Sequence, residues 1–371
     1  MSKISAFNTI WDTVSEIDLR PIRAEAEQPL SIAILADDGD LGALLETELR
    51  ADPENPARPL GTAPLLLLTP ENLPAQSPAS LVIVLFQSPE SPSAEVRARV
   101  RAWVAAGQRV LAIQQIAAPL ASPRESLAAG IWESARLLAG DVANPAFVQS
   151  AIIPAILRLL PEKHLALARQ WHAFRPAVAR KLIQETSVNN AIYALSTGLA
   201  EQVPILNIPL NVADVVVLTK AQAFLVYRLG MALGMSTEWR TYIAEFGGVL
   251  GGGFVWRQVA RSLVGLIPVW GLAPKVAVAY AGTYVVGQTV WQWYQKGRHI
   301  EAKQMKQLYA QAWQNGKQLA LNLKERMPRL PRRVKALPVA AENLCPLCSK
   351  PAPADAQFCP YCGQRLGEIP L

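Results

Sequence analysis

The apolar run Leu81-Val-Ile-Val-Leu-Phe86 decides the fold of the first part of this chain. It has no polar residue for a solvent-facing side, which is typical of a strand buried on both faces of a parallel sheet. Three further short apolar runs lie at Ser31–Leu35, Leu65–Leu68 and Arg109–Ile113. Helical patterns separate them, at Leu41–Arg50 and from about Ser93 to Ala106. This alternation predicts an α/β domain over residues 31–145, with a parallel sheet covered by helices on both faces.

The chain as a whole is long and apolar. Its 371 residues are enough for about two or three domains. It is 51% hydrophobic and 18% charged, which is more apolar and less charged than an average soluble protein. Residues 1–30 are predicted to form an N-terminal amphipathic helix. Its apolar face carries Phe7, Ile10, Trp11, Val14 and Ile17.

The order of strands and helices in residues 31–145 resembles that of the small bacterial GTPases. Ser31–Leu49 is similar to their first strand, phosphate loop and helix. Leu68-Thr69-Pro70-Glu71 resembles the turn that senses the γ-phosphate, and Gln114-Gln115-Ile116-Ala117 falls where guanine is read. The resemblance implies a P-loop-like α/β fold. A generic α/β domain without GTPase ancestry is the alternative.

The residues that carry GTPase chemistry are missing from these positions. A P-loop places a Lys on the phosphates and a Ser or Thr on Mg²⁺, whereas this chain has Gly42-Ala43-Leu44 there. The aspartates of the γ-phosphate turn and of the base-reading motif are replaced by Leu68 and Ala117. We therefore predict a degenerate domain that does not hydrolyse nucleotides.

Three carboxylates follow the first strand, at Asp37, Asp38 and Asp40. They place negative charge where phosphates bind in a P-loop. A helix N terminus attracts anions, so we expect these carboxylates to occupy the place of a phosphate.

Residues 146–327 are predicted to form an all-α apolar domain. The helical patterns lie at Phe147–Leu160, His164–Gln184, Asn189–Leu199, Val215–Met235, Val276–Gln295 and Gly297–Met327. Two segments, FRPAVARKLIQETSVNNAIYALSTG (174–198) and IPLNVADVVVLTKAQAFLVYRLGMALG (208–234), resemble a helical domain of unknown function. That domain is often fused behind bacterial GTPases, including inner-membrane examples. The resemblance supports the interpretation of residues 31–145 as a degenerate GTPase-like domain.

Membrane contact is predicted from the apolar and basic stretches near the end of this domain. Ser262–Gln295 carries a single charge, Lys275, so a spanning hairpin would keep Pro274-Lys275 at the far surface. Three glutamines weaken the prediction of a spanning hairpin, at Gln288, Gln292 and Gln295. A buried helical bundle is the alternative. Surface attachment is favoured over spanning.

A basic segment runs from Lys296 to Lys335, with eleven Lys or Arg against two Glu, a local charge of +9. The whole chain is only +7, so the positive charge is concentrated here. Such a segment indicates an anionic partner, either phospholipid or nucleic acid, and a solvated helix is the alternative. A Pro/Arg linker follows at residues 328–343.

All four cysteines lie near the C terminus, as Cys345-Pro-Leu-Cys348 and Cys359-Pro-Tyr-Cys362. Two such pairs supply four thiolates for a tetrahedral Zn²⁺ site with no open position, which predicts a structural metal. Disulfides or a redox pair are the alternative, but no signal peptide precedes the chain and export is not expected. Residues 344–367 resemble the short zinc-ribbon modules of many bacterial proteins, apart from Ser349 where Gly is usual.

No catalytic constellation is recognised. His164, His172 and His299 lack ligand-like spacing with carboxylates, and Asp214 and Lys220 are interpreted as a structural pair or as groups at helix ends. The leading hypothesis is a non-enzymatic, membrane-associated scaffold or adaptor on the cytoplasmic side of the inner membrane, with a cytoplasmic location as the alternative. Its expected partners are an anionic membrane surface and a protein bound by the ribbon. The alternatives are an atypical GTPase and a nucleic-acid-binding protein that uses the basic segment and ribbon.

Overall fold

The computed structural model describes residues 19–71, 73–77, 79–88, 91–116, 136–200, 212–238, 272–297, 301–326, 343–344 and 351–352. The chain divides into two compact units, Met1–Leu321 and Asn322–Leu371. The predicted N-terminal helix falls largely outside the described residues, but helix α1 (Arg20–Ala26) lies at its end.

A five-stranded parallel sheet follows α1, which confirms the predicted α/β architecture. Its elements are β1 (Ile32–Ala36), α2 (Gly39–Arg50), β2 (Leu65–Leu68), β3 (Leu81–Phe86), α3 (Ala94–Ala105), β4 (Val110–Gln115) and β5 (Arg136–Gly140). The strand order is β2-β1-β3-β4-β5, a doubly wound arrangement. The fifth strand, Arg136–Gly140, was not expected from the sequence.

Both faces of the sheet are covered, as predicted. Side chains alternate along each strand, so Ile34 and Ile83 face one core while Leu35 and Val84 face the other. The first core continues into α2 and the helical region. The second is closed by α3, which contributes Val96, Val100 and Trp103.

The helical region contains more breaks than the sequence suggested. Its elements are α4 (Pro145–Phe147), a π-helical turn (Val148–Ile152), α5 (Ile153–Leu159), α6 (His164–Gln170), α7 (Arg175–Ala200), α8 (Val212–Ala232), α9 (Leu272–Lys296) and α10 (Ala302–Arg326). Two 3₁₀ turns, Pro161–Lys163 and His172–Phe174, lie before α6 and α7.

The predicted helix His164–Gln184 is wrong, because α6 ends at Gln170 and α7 begins at Arg175. Trp171 between them is extended, with φ −121° and ψ 117°. Pro176 has no N–H, and the first turn of a helix is the place that tolerates it. The predicted break before Asn189 is also wrong, since α7 runs without interruption to Ala200.

Helices α7 and α9 form the main contact of the helical region, with α8 packed against both. A Cβ atom placed on Gly287 of α9 would lie 2.7 Å from Cγ1 of Ile183 on α7, so the two backbones approach closely. A Cβ on Gly316 of α10 would lie 2.9 Å from Cα of Ala277 on α9. Glycine therefore permits both helix crossings.

Within the described residues, no helix has both the length and the apolar character needed to cross a membrane. Pro274 and Lys275, placed at the tip of the predicted hairpin, lie in the first turn of α9. Residues 262–271 of that hairpin are outside the described ranges.

The second unit contains one short antiparallel pair, β6 (Asn343–Leu344) and β7 (Pro351–Ala352). The linker and most of the predicted ribbon fall outside the described residues.

Candidate functional site

The carboxyl ends of β1 and β3 form the place where a doubly wound sheet of this order binds ligands. Chain connections leave these two adjacent strands toward opposite faces, which opens a crevice above their ends. In this protein the crevice is lined by Asp37 and Asp38 after β1 and by Gln87 after β3.

Asp38 caps the helix that begins at this end of the sheet. It is the N-cap of α2, and its Oδ1 accepts hydrogen bonds from the backbone N–H of Asp40 at 2.9 Å and of Leu41 at 3.4 Å. Its Oδ2 accepts a hydrogen bond from Nε2 of Gln87 at 3.0 Å. Both carboxylate oxygens are therefore engaged. Of the three carboxylates expected in the place of a phosphate, Asp38 is the helix N-cap, and its replacement of a phosphate stays a prediction.

The neighbouring positions provide no cation for a phosphate. Gly42-Ala43-Leu44 follow on α2, and a Cβ on Gly42 would lie 3.2 Å from Cβ of Ala36, so this turn packs directly on β1. Asp37 is exposed, and partial desolvation by its neighbours raises the pKa of its carboxyl. This edge of the sheet is thus acidic.

The end of β4 is where the resemblance to GTPases would place the recognition of guanine. In this protein the end of β4 makes a structural contact. Nε2 of Gln115 donates to Oδ1 of Asp141 at 2.8 Å, and Oε1 of Gln115 accepts from the N–H of Val142 at 2.9 Å. The Gln115 and Ala143 donors lower the pKa of Asp141. Ala117, which replaces the base-reading aspartate, lies outside the described residues.

A buried charged cluster joins the loop after α2 to the helical region. Asp52 is 2% exposed and its Oδ2 lies 2.7 Å from Nη1 of Arg58. Its Oδ1 accepts the backbone N–H groups of Glu54 at 3.0 Å and Asn55 at 3.2 Å. Every oxygen of this carboxylate is satisfied, which is the arrangement of a structural group.

Arg175, at the start of α7, and His172, in the 3₁₀ turn before it, also belong to this cluster. Burial, followed by the charge of Arg58, lowers the pKa of Arg175 to about 10. Its Nε donates to the carbonyl of Ala168 at 3.2 Å. Burial and the charge of Arg175 lower the pKa of His172, so this imidazole is favoured in its neutral form.

His164 is a packed, neutral histidine. Its Nε2 lies 2.6 Å from the carbonyl of Leu157, and its Nδ1 lies 2.9 Å from Nζ of Lys181. The carbonyl requires a donor and the ammonium requires an acceptor, so the proton is on Nε2. The interpretation of His164 as a packing residue agrees with this geometry, whereas His299 lies outside the described residues.

Asp214 and Lys220 both lie on α8. The side chain of Asp214 is outside the described part of the chain, so the structural pairing stays a prediction.

Cys345, Cys348, Cys359 and Cys362 lie outside the described residues, so the zinc site stays a prediction. Strands β6 and β7 pair immediately around the first two cysteines, with Leu344 opposite Pro351. Elsewhere in the described ranges, no group of three or more His, Cys, Asp or Glu side chains is placed to hold a metal.

Sequence reasoning located Asp38 but missed its partner Gln87. It also did not show that Glu54, Arg180 and the glutamines of α9 line one cavity, between the loop after α2 and helices α7 and α9. A periodic signal was present for the last group, since Gln288, Gln292 and Gln295 recur at i, i+4 and i+7. No family model, curated protein or solved structure matches this chain.

Proposed function

We propose that this protein is a non-enzymatic, membrane-associated scaffold whose α/β part keeps the layout of a nucleotide-binding domain without its chemistry. The observation that carries the proposal is the Asp38 carboxylate at the N terminus of α2, with both oxygens hydrogen bonded. A phosphate would have to displace this carboxylate to reach the same N–H groups. It would also enter a crevice that already holds Asp37 and Asp40.

Nucleotide binding is the direct test. Calorimetry of the full chain with GTP and Mg²⁺ should give no heat of binding at micromolar concentrations. Asp38→Asn removes the charge and keeps an oxygen for the cap, and Asp40→Asn is the control for the loss of one exposed carboxylate. Neither variant should gain hydrolysis, because both still lack the P-loop Lys. Micromolar GTP affinity of the unchanged protein would refute the proposal and favour an atypical GTPase.

The membrane part of the proposal is supported by the basic helix α10. Lys303 and Lys306 are exposed on this helix, and Lys317 lies 5.8 Å from the ring centroid of Trp313. Cations held at a surface attract anionic phospholipid, at about 1 kcal/mol for each Lys near the headgroups. The attachment we propose is to the membrane surface, on the cytoplasmic side of the inner membrane.

Vesicle sedimentation tests this attachment. The protein should bind phosphatidylserine-containing vesicles and not pure phosphatidylcholine vesicles. Lys303→Gln combined with Lys306→Gln should weaken binding about tenfold or more. Arg99→Gln with Arg101→Gln, the same charge change on α3, is the matched control. Tighter binding to a mixed-sequence oligonucleotide than to vesicles, measured at equal salt, would favour the nucleic-acid alternative instead.

The C-terminal cysteines are proposed to form the protein-binding module of the scaffold. Four thiolates in two Cys-x-x-Cys pairs suit a closed structural Zn²⁺ site, and the β6–β7 pairing around the first pair fits this chemistry. Elemental analysis should find one zinc per chain. Cys359→Ser with Cys362→Ser should lose the metal and the partners recovered from membranes. An unchanged partner set would exclude the ribbon as the binding module.

A further inference from the structure

A cavity of about 630 Å³, open to solvent, lies between the loop after α2 and helices α7 and α9. None of the functions proposed above uses it. Its apolar floor includes Ala179 and Ile183 of α7, and its ionisable groups are Glu54, Arg180 and Lys296. The cavity therefore brings one carboxylate and two cations from three separate elements to a single space.

The Glu54 carboxylate is held at one side of this space. Glu54 is exposed, and Trp291 belongs to the same lining. Desolvation is the largest influence and raises the pKa of Glu54, Asp52 raises it further, and the charges of Lys296 and Arg180 lower it. Among the described residues, neither Arg180 nor Lys296 forms an ion pair within 4.0 Å. Lys296 and Arg180 therefore influence the Glu54 carboxylate through their charge and form no ion pair with it within 4.0 Å.

Carboxamides line the rest of the wall. Gln288, Gln292 and Gln295 follow one face of α9, and Nε2 of Gln295 has no hydrogen-bond partner in the described part of the chain. A second cavity, of about 830 Å³, shares Gln292 and Lys296 with the first. Its other wall carries Gln304, Gln307 and Gln311 of α10. A carboxamide both donates and accepts hydrogen bonds, so these walls match a ligand that does the same, such as one with peptide groups.

We propose that this cavity binds a small zwitterion with a free ammonium and a free carboxylate, the chemistry of an amino acid or a short peptide. Glu54 receives the ammonium, and Arg180 with Lys296 receives the carboxylate. The glutamines of α9 bond to the polar groups between them. The second cavity gives a longer ligand room to continue along α10.

Other ligand classes fit this wall less well. Trp291 is only 7% exposed, so it offers little ring face for a sugar or a base to stack on. A nucleoside triphosphate would bring several negative charges toward Glu54, with only two cations to receive them. A zwitterion satisfies both signs of charge at once.

Calorimetry of the full chain at low salt tests the proposal with L-alanine and with L-alanyl-L-alanyl-L-alanine. At least one of them should bind, and the tighter of the two identifies the source as a free amino acid or a peptide. N-acetylation or C-terminal amidation of the tighter probe removes one charge each. Each blocked probe should bind about tenfold more weakly, because a hydrogen bond to a charged group is lost.

Two variants assign the charges to their receptors. Glu54→Gln removes the carboxylate charge and should abolish the preference for a free ammonium only. Arg180→Gln should reduce the preference for a free carboxylate only. Glu27→Gln and Arg158→Gln, exposed residues elsewhere in the first unit, should leave both preferences unchanged. Absence of binding by both unblocked probes, or equal binding of the blocked and unblocked forms by the unchanged protein, would overturn the proposal.

Discussion

The interior of the sheet and the interface between α7 and α9 differ in the polarity of the residues that they bury. Every residue of β1 and β3 is buried and apolar. The helix interface instead buries Ser187, Asn190 and Thr283. Strands exchange hydrogen bonds between their backbones, and the apolar pattern of their side chains sets the register. Helices satisfy their own backbone hydrogen bonds, so side-chain contacts alone position one helix along another. We therefore expect the buried polar groups and the close glycine contact to fix the position of α7 along α9.

The largest effect is expected in the sheet. Ile83→Ala removes a fully buried side chain at the centre of β3 and should lower the free energy of unfolding by about 2–5 kcal/mol. Leu66→Ala on the edge strand β2 is the control, because that side chain is 39% exposed and should cost less than about 1 kcal/mol. Urea denaturation of both variants measures the difference. Equal losses would mean that the edge is covered as fully as the centre.

The second effect concerns the closest approach of α7 and α9. Gly287→Ala places a Cβ atom 2.7 Å from Cγ1 of Ile183, a β-branched and stiff side chain, so the helices must separate. We expect a loss of about 2–3 kcal/mol by thermal or urea unfolding. Gly282→Ala is the matched control on the same helix, since nothing lies within 4 Å of its added Cβ. That variant should be about 0.5–1 kcal/mol more stable, because alanine favours the helix. A stabilising Gly287→Ala would disprove the close crossing.

The third effect tests whether the buried polar pair specifies register or adds stability. Nδ2 of Asn190 donates to Oγ1 of Thr283 at 2.8 Å, and that hydroxyl donates to the carbonyl of Ala279 at 2.9 Å. Thr283→Val leaves the Asn190 amide buried without its acceptor and should cost about 1–2 kcal/mol. The double variant Asn190→Leu with Thr283→Val should recover most of this loss, as both polar groups are then gone. If the double variant were additive, the pair would not act as a unit.

The same contrast explains which parts of the fold could be predicted from the sequence. Uninterrupted apolar runs identified β1 to β4, because such a run leaves a local pattern whether the strand is buried, as β1 and β3 are, or lies at the edge, as β2 does. Strand β5 (Arg136–Gly140) begins with a charged residue and has only a short apolar core, so no local pattern separates it from a helix end. The interruption before α7 was not predicted, because the 3₁₀ turn His172–Phe174 follows Trp171, a residue buried by tertiary packing.

The candidate sites follow the same division. Asp38 was predictable, since a carboxylate before an amphipathic helix is a local capping signal. Its contact with Gln87 joins residues 49 positions apart, and the cavity joins Glu54 to α7 and α9. Such contacts depend on strand order and helix crossing. From the sequence alone, the glutamines of α9 indicate only that a membrane span is unfavourable.

The smallest effect is a pH dependence that the helical region should show and the apolar sheet interior should not. Burial lowers the pKa of His164, and the nearby Lys181 ammonium lowers it further, although the Leu157 carbonyl, Glu185 and Glu25 oppose this. In the unfolded chain a histidine titrates near pH 6.5, so it binds a proton there before His164 does in the fold. Stability contributed by neutral His164 is therefore present above about pH 6.5 and is lost as the pH falls below it.

His164→Gln checks this sign, because an amide can meet the Leu157 carbonyl without titrating. Between pH 7 and pH 6, one histidine that stays neutral in the fold contributes a loss of at most about 0.7 kcal/mol. The variant should lack this part of the pH dependence and retain the part that His172 contributes, since the pKa of His172 is lowered too. Urea titrations at the two pH values measure it. An unchanged pH dependence in the variant would mean that His164 has the same pKa in the fold as in the unfolded chain. A steeper loss in the variant would mean that Glu185 and Glu25 outweigh burial and raise the pKa of His164 in the fold.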